Sequence, residues 1–466
     1  MGLFREYDLR GIVGSELTED LAERVGRAYA TYVSGRGVTT ITLGRDGRLS
    51  SPGLHRALSK GLLDGGLNVI DIGVCTSPLV YFSLFTLPVE GGIMITGSHN
   101  AAEYNGFKIC VGKGAIHGEE IQELRRVMER GSFVSGTGRL SEHPIIPDYL
   151  AYLKKSFSSV DASGLHVVID CGNGAASLVA KEALELLGCR VTTLYGDLDG
   201  RFPNHHPDPT VLENLSDLMQ AVKAHQADVG IGYDGDADRI GAVDEKGEVL
   251  WGDRLLVVYS RDILAEKPGG TVISEVKASQ SLYDDIAERG GRPIMWKTGH
   301  SLIKAKMKEE SAVLAGEMSG HMFFADRYFG YDDAVYASCR LVEILAKKAQ
   351  PLSALVSDLP KTVVTPEIRV DLPDTVKFEV VHEIQRAFES YLKAGQELGP
   401  DRLRLRDLIT IDGVRAVFED GWGLIRASNT QPALVLRFEA VSPARMAAIR
   451  SCIEQELATA RRALEC

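Results

Sequence analysis

Three stretches of this chain repeat one plan, and that plan restricts the fold more than any other feature. Thr40-Ile41-Thr42-Leu43 leads through a glycine-rich turn to a helical segment over 51–64, stopped by Gly65-Gly66 and followed by Asn68-Val69-Ile70. Val167-Val168-Ile169 passes Gly172-Asn173-Gly174 to a helix ending at Gly188, then Arg190-Val191-Thr192. Thr271-Val272-Ile273 passes Val276-Lys277-Ala278-Ser279 to a helix ending at Gly290-Gly291, then Pro293-Ile294-Met295. Strand, turn, helix, glycine stop and strand predict a βαβ unit with a right-handed crossover. The units recur at roughly hundred-residue intervals, which makes them related domains and not solenoid modules.

The last quarter of the chain reads differently. A helical stretch over 376–394 is followed by short alternating segments at 408–411, 414–418, 422–426 and 433–439, and by a terminal helix over 443–464. Asp412-Gly413 and Asp420-Gly421 are hairpin turns. The 351–366 region, with Pro360 in its middle, reads as a hinge. At 466 residues the chain exceeds one ordinary core. The expected architecture is α/β: three related α/β domains with mixed sheets plus a small C-terminal α+β domain around a central cleft. The expected boundaries are 1–145, 146–247, 248–359 and 360–466.

Composition removes several function classes. A net charge of −12 argues against a nucleic-acid binder, because phosphate-backbone affinity comes from Lys and Arg. It leaves phosphorylated metabolites open, since local basic groups decide those. Seven scattered cysteines (75, 110, 171, 189, 339, 452, 466) form no CxxC pair and suit reduced thiols in a cytoplasm. Charges at Arg5, Glu6, Asp8 and Arg10 leave no room for an apolar signal core. The charge-free run 72–89 is broken by Gly73, Pro78 and Pro88, so it predicts a strand end and a buried helix, not a membrane span.

Two loops carry recognisable chemistry. Gly92-Ile93-Met94-Ile95 reads as a buried strand that runs out into Thr96-Gly97-Ser98-His99-Asn100. A serine at the carboxyl end of a sheet strand stands where open α/β sheets bind ligands, and His99 and Asn100 put polar groups beside it. Asp234-Gly235-Asp236-Ala237-Asp238-Arg239 lies between two apolar strands. Carboxylates at i, i+2 and i+4 of a tight loop can turn together onto one hard cation, and Mg²⁺ prefers oxygen ligands. Without a countercharge they would raise one another's pKa values. An EF-hand is excluded by the missing terminal Glu and flanking helices. Two further polar loops, Gly316-Glu317-Met318-Ser319-Gly320-His321 and Arg426-Ala427-Ser428-Asn429-Thr430-Gln431-Pro432, give one chemical loop per expected domain. The last has the donor set of a phosphate cradle.

These four loops in order, with Phe4-Arg5-Glu6-Tyr7-Asp8-Leu9-Arg10-Gly11 at the start and Asn105-Gly106-Phe107-Lys108 after the serine, resemble the α-D-phosphohexomutases over essentially the full length. The phosphomannomutase/phosphoglucomutase branch is the nearest. The resemblance implies that Ser98 is a phosphoserine and that Asp234, Asp236 and Asp238 bind Mg²⁺ together with it. It further implies a cycle from hexose 1-phosphate through a bound hexose 1,6-bisphosphate, which turns end for end, to hexose 6-phosphate. Arg426, Ser428, Asn429 and Thr430 match the distal phosphate loop, and Glu317 and Ser319 match the pair that reads the sugar hydroxyls. Met318 is the form of the mannose/glucose branch, where glucosamine mutases carry Gln.

Around this centre, Lys108 is placed to neutralise charge and to help move a proton, and His300 in Lys297-Thr298-Gly299-His300 to orient the sugar or exchange a proton. Arg10 and Arg239 are expected on phosphoryl oxygens, with Lys277 and Tyr7 on the substrate and His99 beside the nucleophile. Packing beneath Arg10 is the alternative for Tyr7. His321 reads as structural, and the adjacent His205-His206 do not read as metal ligands. Ala101 stands where many relatives have proline. The expected partners are phosphosugars, in a monomer or homodimer without nucleic acid or membrane. A serine phosphatase would need a second metal cluster, and a catalytically dead sensor would have lost Ser98 or an aspartate. The sequence offers one triad and keeps Ser98 and all three aspartates, so a phosphoserine phosphatase-type hydrolase stands as the lesser alternative. Glucosamine mutase remains the alternative within the class.

Overall fold

The computed structural model describes residues 3–429 and 431–464. Thr430, named above as a site residue, lies outside them. The repeat is expressed as three sheets with one shared topology. In the first, Thr40–Arg45 is flanked on both sides by parallel partners, Asn68–Val74 and Gly91–Ile95, and the latter pairs antiparallel with Tyr104–Val111. The second sheet repeats this with His166–Asp170 between Arg190–Leu194 and Val229–Tyr233, the latter turning back into Ile240–Asp244. The third does so with Thr271–Glu275 between Arg292–Trp296 and Leu314–Gly316, which turns back into Met322–Phe324.

The loop between the last parallel strand and its antiparallel neighbour therefore occupies the same topological position three times. Those loops carry Ser98, the Asp234–Asp238 triad and Glu317–His321 respectively. All three lie at the carboxyl ends of buried parallel strands, where main-chain groups run out of sheet partners and are free to meet a ligand.

Local sequence accounts for most elements. The run 72–89 becomes the end of a strand at Val74 and the helix Ser77–Thr86, with Pro78 in its first turn and residues 77–84 all buried. One expected helix is broken. In the second repeat only a 3₁₀ turn, Ala175–Leu178, and a short helix, Ala180–Glu185, form before Gly188. The turn is pinned to the acidic loop, since Ala175 N–H donates to Gly235 C=O at 2.9 Å and a Cβ on Gly174 would lie 2.8 Å from that oxygen. The tertiary contact outweighs helix continuation.

The fourth sheet is antiparallel at its centre, in the order Ala433–Ala440, Gly421–Ala427, Val414–Phe418 and Leu403–Ile409. The helices Lys377–Ala394 and Pro443–Ala463 cover it. The polar loop after Ala427 connects Gly421–Ala427 to its antiparallel partner Ala433–Ala440. No helix among the described residues is long and apolar enough to cross a membrane.

Candidate active site

Ser98 has a left-handed backbone, φ 49°, and is 2 % exposed. That conformation is costly for a residue with a Cβ, so its surroundings must hold it. Arg48 does so. Its guanidinium is fully buried and donates to the carbonyls of Ser98 (2.8 Å), Asn100 (2.6 Å) and Tyr104 (2.9 Å), while its Nε donates to Asp46 at 3.1 Å. Gly97 is required here because a Cβ would run into that guanidinium, and Gly235 because a Cβ would collide with Ser98 C=O.

Pressed together in this way, the serine and acidic loops share a hydrogen bond. Ser98 Oγ donates to Asp234 Oδ2 at 2.9 Å and lies 3.2 Å from His99 Nδ1. Asp236 is braced from the first domain's helix Ser77–Thr86, accepting from Ser77 Oγ on its carboxylate and from Ser77 N–H, at 2.9 Å, on its carbonyl. The three aspartates are buried, and each offers an oxygen within 4.8 Å of the others. Burial and its two neighbours push Asp234 well above the usual carboxylate range. Lys108 reaches in from the antiparallel strand and donates to Asp236 at 2.6 Å and to Asp238. Burial alone would lower its pKa, but the three carboxylates hold the ammonium well above its ordinary value.

Three carboxylates still face one ammonium. Asp236 Oδ1 and Asp238 Oδ1 are buried without a hydrogen-bond partner among the described residues. Orphaned hard oxygens at this spacing fit a divalent cation. Two arginines supply the opposite deficit. Arg10 donates to Asn100 Oδ1 at 2.7 Å and pairs with Asp8, and Arg239 lies 3.9 Å from Asp208. The Nε of each is buried and unpartnered among the described residues, so both retain a donor for an anion. Both also lie near enough to His99 to help burial hold that imidazole neutral.

The third sheet contributes a second cluster. Glu317 accepts from Gly299 N–H at 2.8 Å and stands 3.2 Å from His321 Nδ1, which is 2.9 Å from Ser319 Oγ. The other ring nitrogen of His321 is 3.3 Å from Asp238. Burial opposes its charge, but Asp238 and Glu317 push it up to about 9. His300 stacks on it at 5.4 Å, with planes 14° apart, and is lowered by burial and by Lys304. His321 thus sits inside the cluster, between metal-type and sugar-type carboxylates, where the sequence suggests only a structural role. Its place two residues beyond Ser319 is the one local signal of this.

Tyr7 ties the cleft across its width. It donates to Thr298 C=O at 3.0 Å and accepts from Asn429 Nδ2 at 2.9 Å. Arg426 is buried and donates to Asp412 at 3.0 Å, and Ser428 Oγ accepts from Gln431 N–H at 3.1 Å. The loop is stapled from behind by Lys377, fully buried, whose ammonium donates to the carbonyls of Ser428 (2.5 Å) and Gln431 (3.0 Å). Lys277 stands 3.1 Å from Glu367, at the start of the fourth domain. His205 pairs with Asp170 at 3.1 Å, at the end of the strand beside the one that delivers the acidic loop. Nothing in the sequence singles out Arg48, Ser77 or Lys377, since each acts through partners remote along the chain.

A buried serine against a carboxylate triad, in three repeated α/β domains closed by a fourth, defines a class of phosphoryl-transfer enzyme. Four family models match in register: phosphoglucomutase/phosphomannomutase alpha/beta/alpha domain I over 1–135, domain II over 147–247, domain III over 251–363 and the C-terminal domain over 367–455. The chain is 43 % identical over 455 residues to a phosphomannomutase/phosphoglucomutase of Pseudomonas aeruginosa, covering 98 % of this chain and 95 % of that one. It is 42 % identical to a phosphoglucomutase of Neisseria gonorrhoeae, with 96 % and 95 % covered. A Burkholderia thailandensis phosphoglucomutase/phosphomannomutase family protein superposes with a TM-score of 0.89 at 39 % identity, over 98 % of this chain and 97 % of that one. The chain belongs to the phosphoglucomutase/phosphomannomutase family. It is a phosphohexomutase, an enzyme of intramolecular phosphoryl transfer.

Proposed function

We propose that this enzyme interconverts the 1- and 6-phosphates of mannose, glucose or both, through a phosphoserine at Ser98 and a bound hexose 1,6-bisphosphate that also serves as activator. The observation that carries the reading is Ser98 Oγ, held in a strained turn at 2.9 Å from Asp234 and beside two arginines with unused donors. Asp234, Asp236 and Asp238, with the Ser98 phosphate, would hold Mg²⁺. Bound there, it supplies Lewis-acid polarisation of the phosphoryl group.

The chain's own residues account for the rest. A sugar hydroxyl oxygen attacks the phosphoserine phosphorus and the Ser98 Oγ–P bond breaks, while Arg10 and Arg239 neutralise the equatorial oxygens. The hydroxyl proton passes to His300, which burial and Lys304 hold neutral, and the charged Lys108 supplies one to Ser98 Oγ as it leaves, while His321 stays charged between Asp238 and Glu317. His99 stays neutral beside the nucleophile. Glu317 and Ser319 hold the sugar hydroxyls. Lys277, Tyr7, Arg426, Ser428, Asn429 and Thr430 hold the far phosphate, so that either end of the intermediate can face Ser98. Met318 favours mannose and glucose over glucosamine. The six described cysteines are free, in keeping with a cytoplasmic enzyme.

The test is a steady-state rate for mannose 1-phosphate, glucose 1-phosphate and glucosamine 1-phosphate, each with Mg²⁺ and trace glucose 1,6-bisphosphate. Comparable turnover of the first two is expected. Turnover of glucosamine 1-phosphate alone would reverse the sugar assignment, and release of inorganic phosphate without isomerisation would make the enzyme a hydrolase.

A further inference from the structure

Behind the two stacked imidazoles lies a charge that the chemistry above does not use. Asp332 is fully buried in the segment leading from Met322–Phe324 into the helix Ala334–Lys348. Its backbone is fixed on both sides. Residue 332 bridges Phe323, and Asp333 caps the helix by accepting from Tyr336 N–H at 2.9 Å.

The two carboxylate oxygens of Asp332 have unlike surroundings. Oδ1 accepts from the Lys304 ammonium at 2.9 Å. Oδ2 is buried without a hydrogen bond among the described residues and stands 3.4 Å from His300 Nδ1 and 3.9 Å from His321 Nε2. His300 Nδ1 is also buried and unpartnered among the described residues. Two orphaned buried atoms facing each other at 3.4 Å are a donor and acceptor that a small ring rotation would join, and leaving both unmade is costly. Lys304 follows His300 by four residues on the helix His300–Glu310, so one helical face supplies both the imidazole and the cation. Its ammonium also lies 4.1 Å over the Tyr81 ring, from the first domain.

We propose that Asp332 is a positioning residue of the mutase site: it keeps the His300 proton on Nδ1 and so leaves the Nε2 lone pair as the ring's acceptor for a sugar hydroxyl. A neutral imidazole has one donor and one acceptor nitrogen, and the partner of one decides the role of the other. Stacking on His321 and edge contact with Tyr7 at 5.8 Å already confine the ring, which leaves the tautomer to be set. The functional half of this inference rests on the mutase reading.

The full-length protein labelled with ¹⁵N-histidine reads the tautomer directly, with the His300 ring signals identified by their loss in His300→Asn. The wild type should show Nδ1–H. In Asp332→Asn the single amide oxygen is claimed by Lys304, the amide NH₂ faces His300 Nδ1, and the ring should switch to Nε2–H. With that switch, kcat for glucose 1-phosphate should fall about tenfold or more while KM stays within about twofold. An Nε2–H wild-type ring overturns the inference even if the variant fails to fold. So does an Asp332→Asn protein that keeps its tautomer or its kcat. A wild type that isomerises neither sugar phosphate refutes the mutase reading separately, and the ring spectrum then still judges Asp332.

Discussion

The first three domains and the fourth are joined to the molecule by different physics. A single hydrophobic cluster runs from Ile72 in the first domain to Leu359 at the end of the third. Within it Phe82, Tyr149 and Phe329, one from each domain, pack ring to ring. The fourth domain has its own core, from Leu372 to Ala460. It meets the rest through a small apolar contact of Val276, Trp422 and Leu424 and through buried charge. Arg415 donates to the carbonyls of Val276 (2.6 Å) and Ala278 (2.8 Å), and Arg437 donates to that of Lys277. Glu439 accepts from Ser279, Thr362 and Trp422. An apolar fusion loses its driving force when opened, whereas hydrogen-bonded groups can exchange their partners for water. Under the proposed function, the nucleophile lies on the fused part and the far-phosphate loop lies beyond the 351–366 linker, on the part joined by exchangeable hydrogen bonds.

The sharpest test of this division is Ser98→Ala. Turnover should fall by about 10³-fold or more while thermal unfolding stays as in the wild type. A residual rate within tenfold would remove Ser98 from the chemistry.

Lys108→Met strikes the charge balance of the fused half. In EDTA the variant should lose about 3–5 kcal/mol in denaturant unfolding, because three buried carboxylates lose their only described ammonium, and Mg²⁺ should restore much of it. Equal stability with and without Mg²⁺ would argue against the triad as the cation site.

Arg415→Met addresses the joint itself. It should weaken docking of the fourth domain by about 1–3 kcal/mol and split calorimetric unfolding into two transitions, leaving the upper one unmoved. A single transition shifted as a whole would mean that the four domains unfold as one.

Asp333 reports on the junction of the first three domains, where it accepts from Tyr149 and Tyr328. Burial raises its carboxyl to about 6 from 3.8. The folded state thus binds the proton more tightly than the unfolded one, so this group's contribution falls as pH rises from about 4 to about 6 and is level above that, a change of up to about 3 kcal/mol. Wild-type stability should decline relative to Asp333→Asn across that window, and parallel pH profiles would contradict it. The smallest effect is expected in solution scattering. Glucose 1,6-bisphosphate should reduce the radius of gyration by closing the fourth domain, and superimposable curves would sink the hinge.

Much of this enzyme is legible in its amino-acid sequence. Apolar runs, glycine stops and hairpin dipeptides are local signals, and they are enough to place the three repeats and the last antiparallel domain. Ser98 and the triad are legible for a related reason, since three close carboxylates and a serine in a strand-end turn call for chemistry wherever they fold. Tertiary structure alone decides that the three loops occupy one topological position, that Arg48 holds the strained serine, and that Ser77 and Lys108 reach Asp236 from another domain. It also turns a helix of the second repeat into a pinned 3₁₀ turn and brings His321 and Asp332 into the site. The partner of a buried charge is chosen by residues that stand far away along the chain, and the local pattern records that choice nowhere around Asp332 and, around His321, only in its place two residues beyond Ser319.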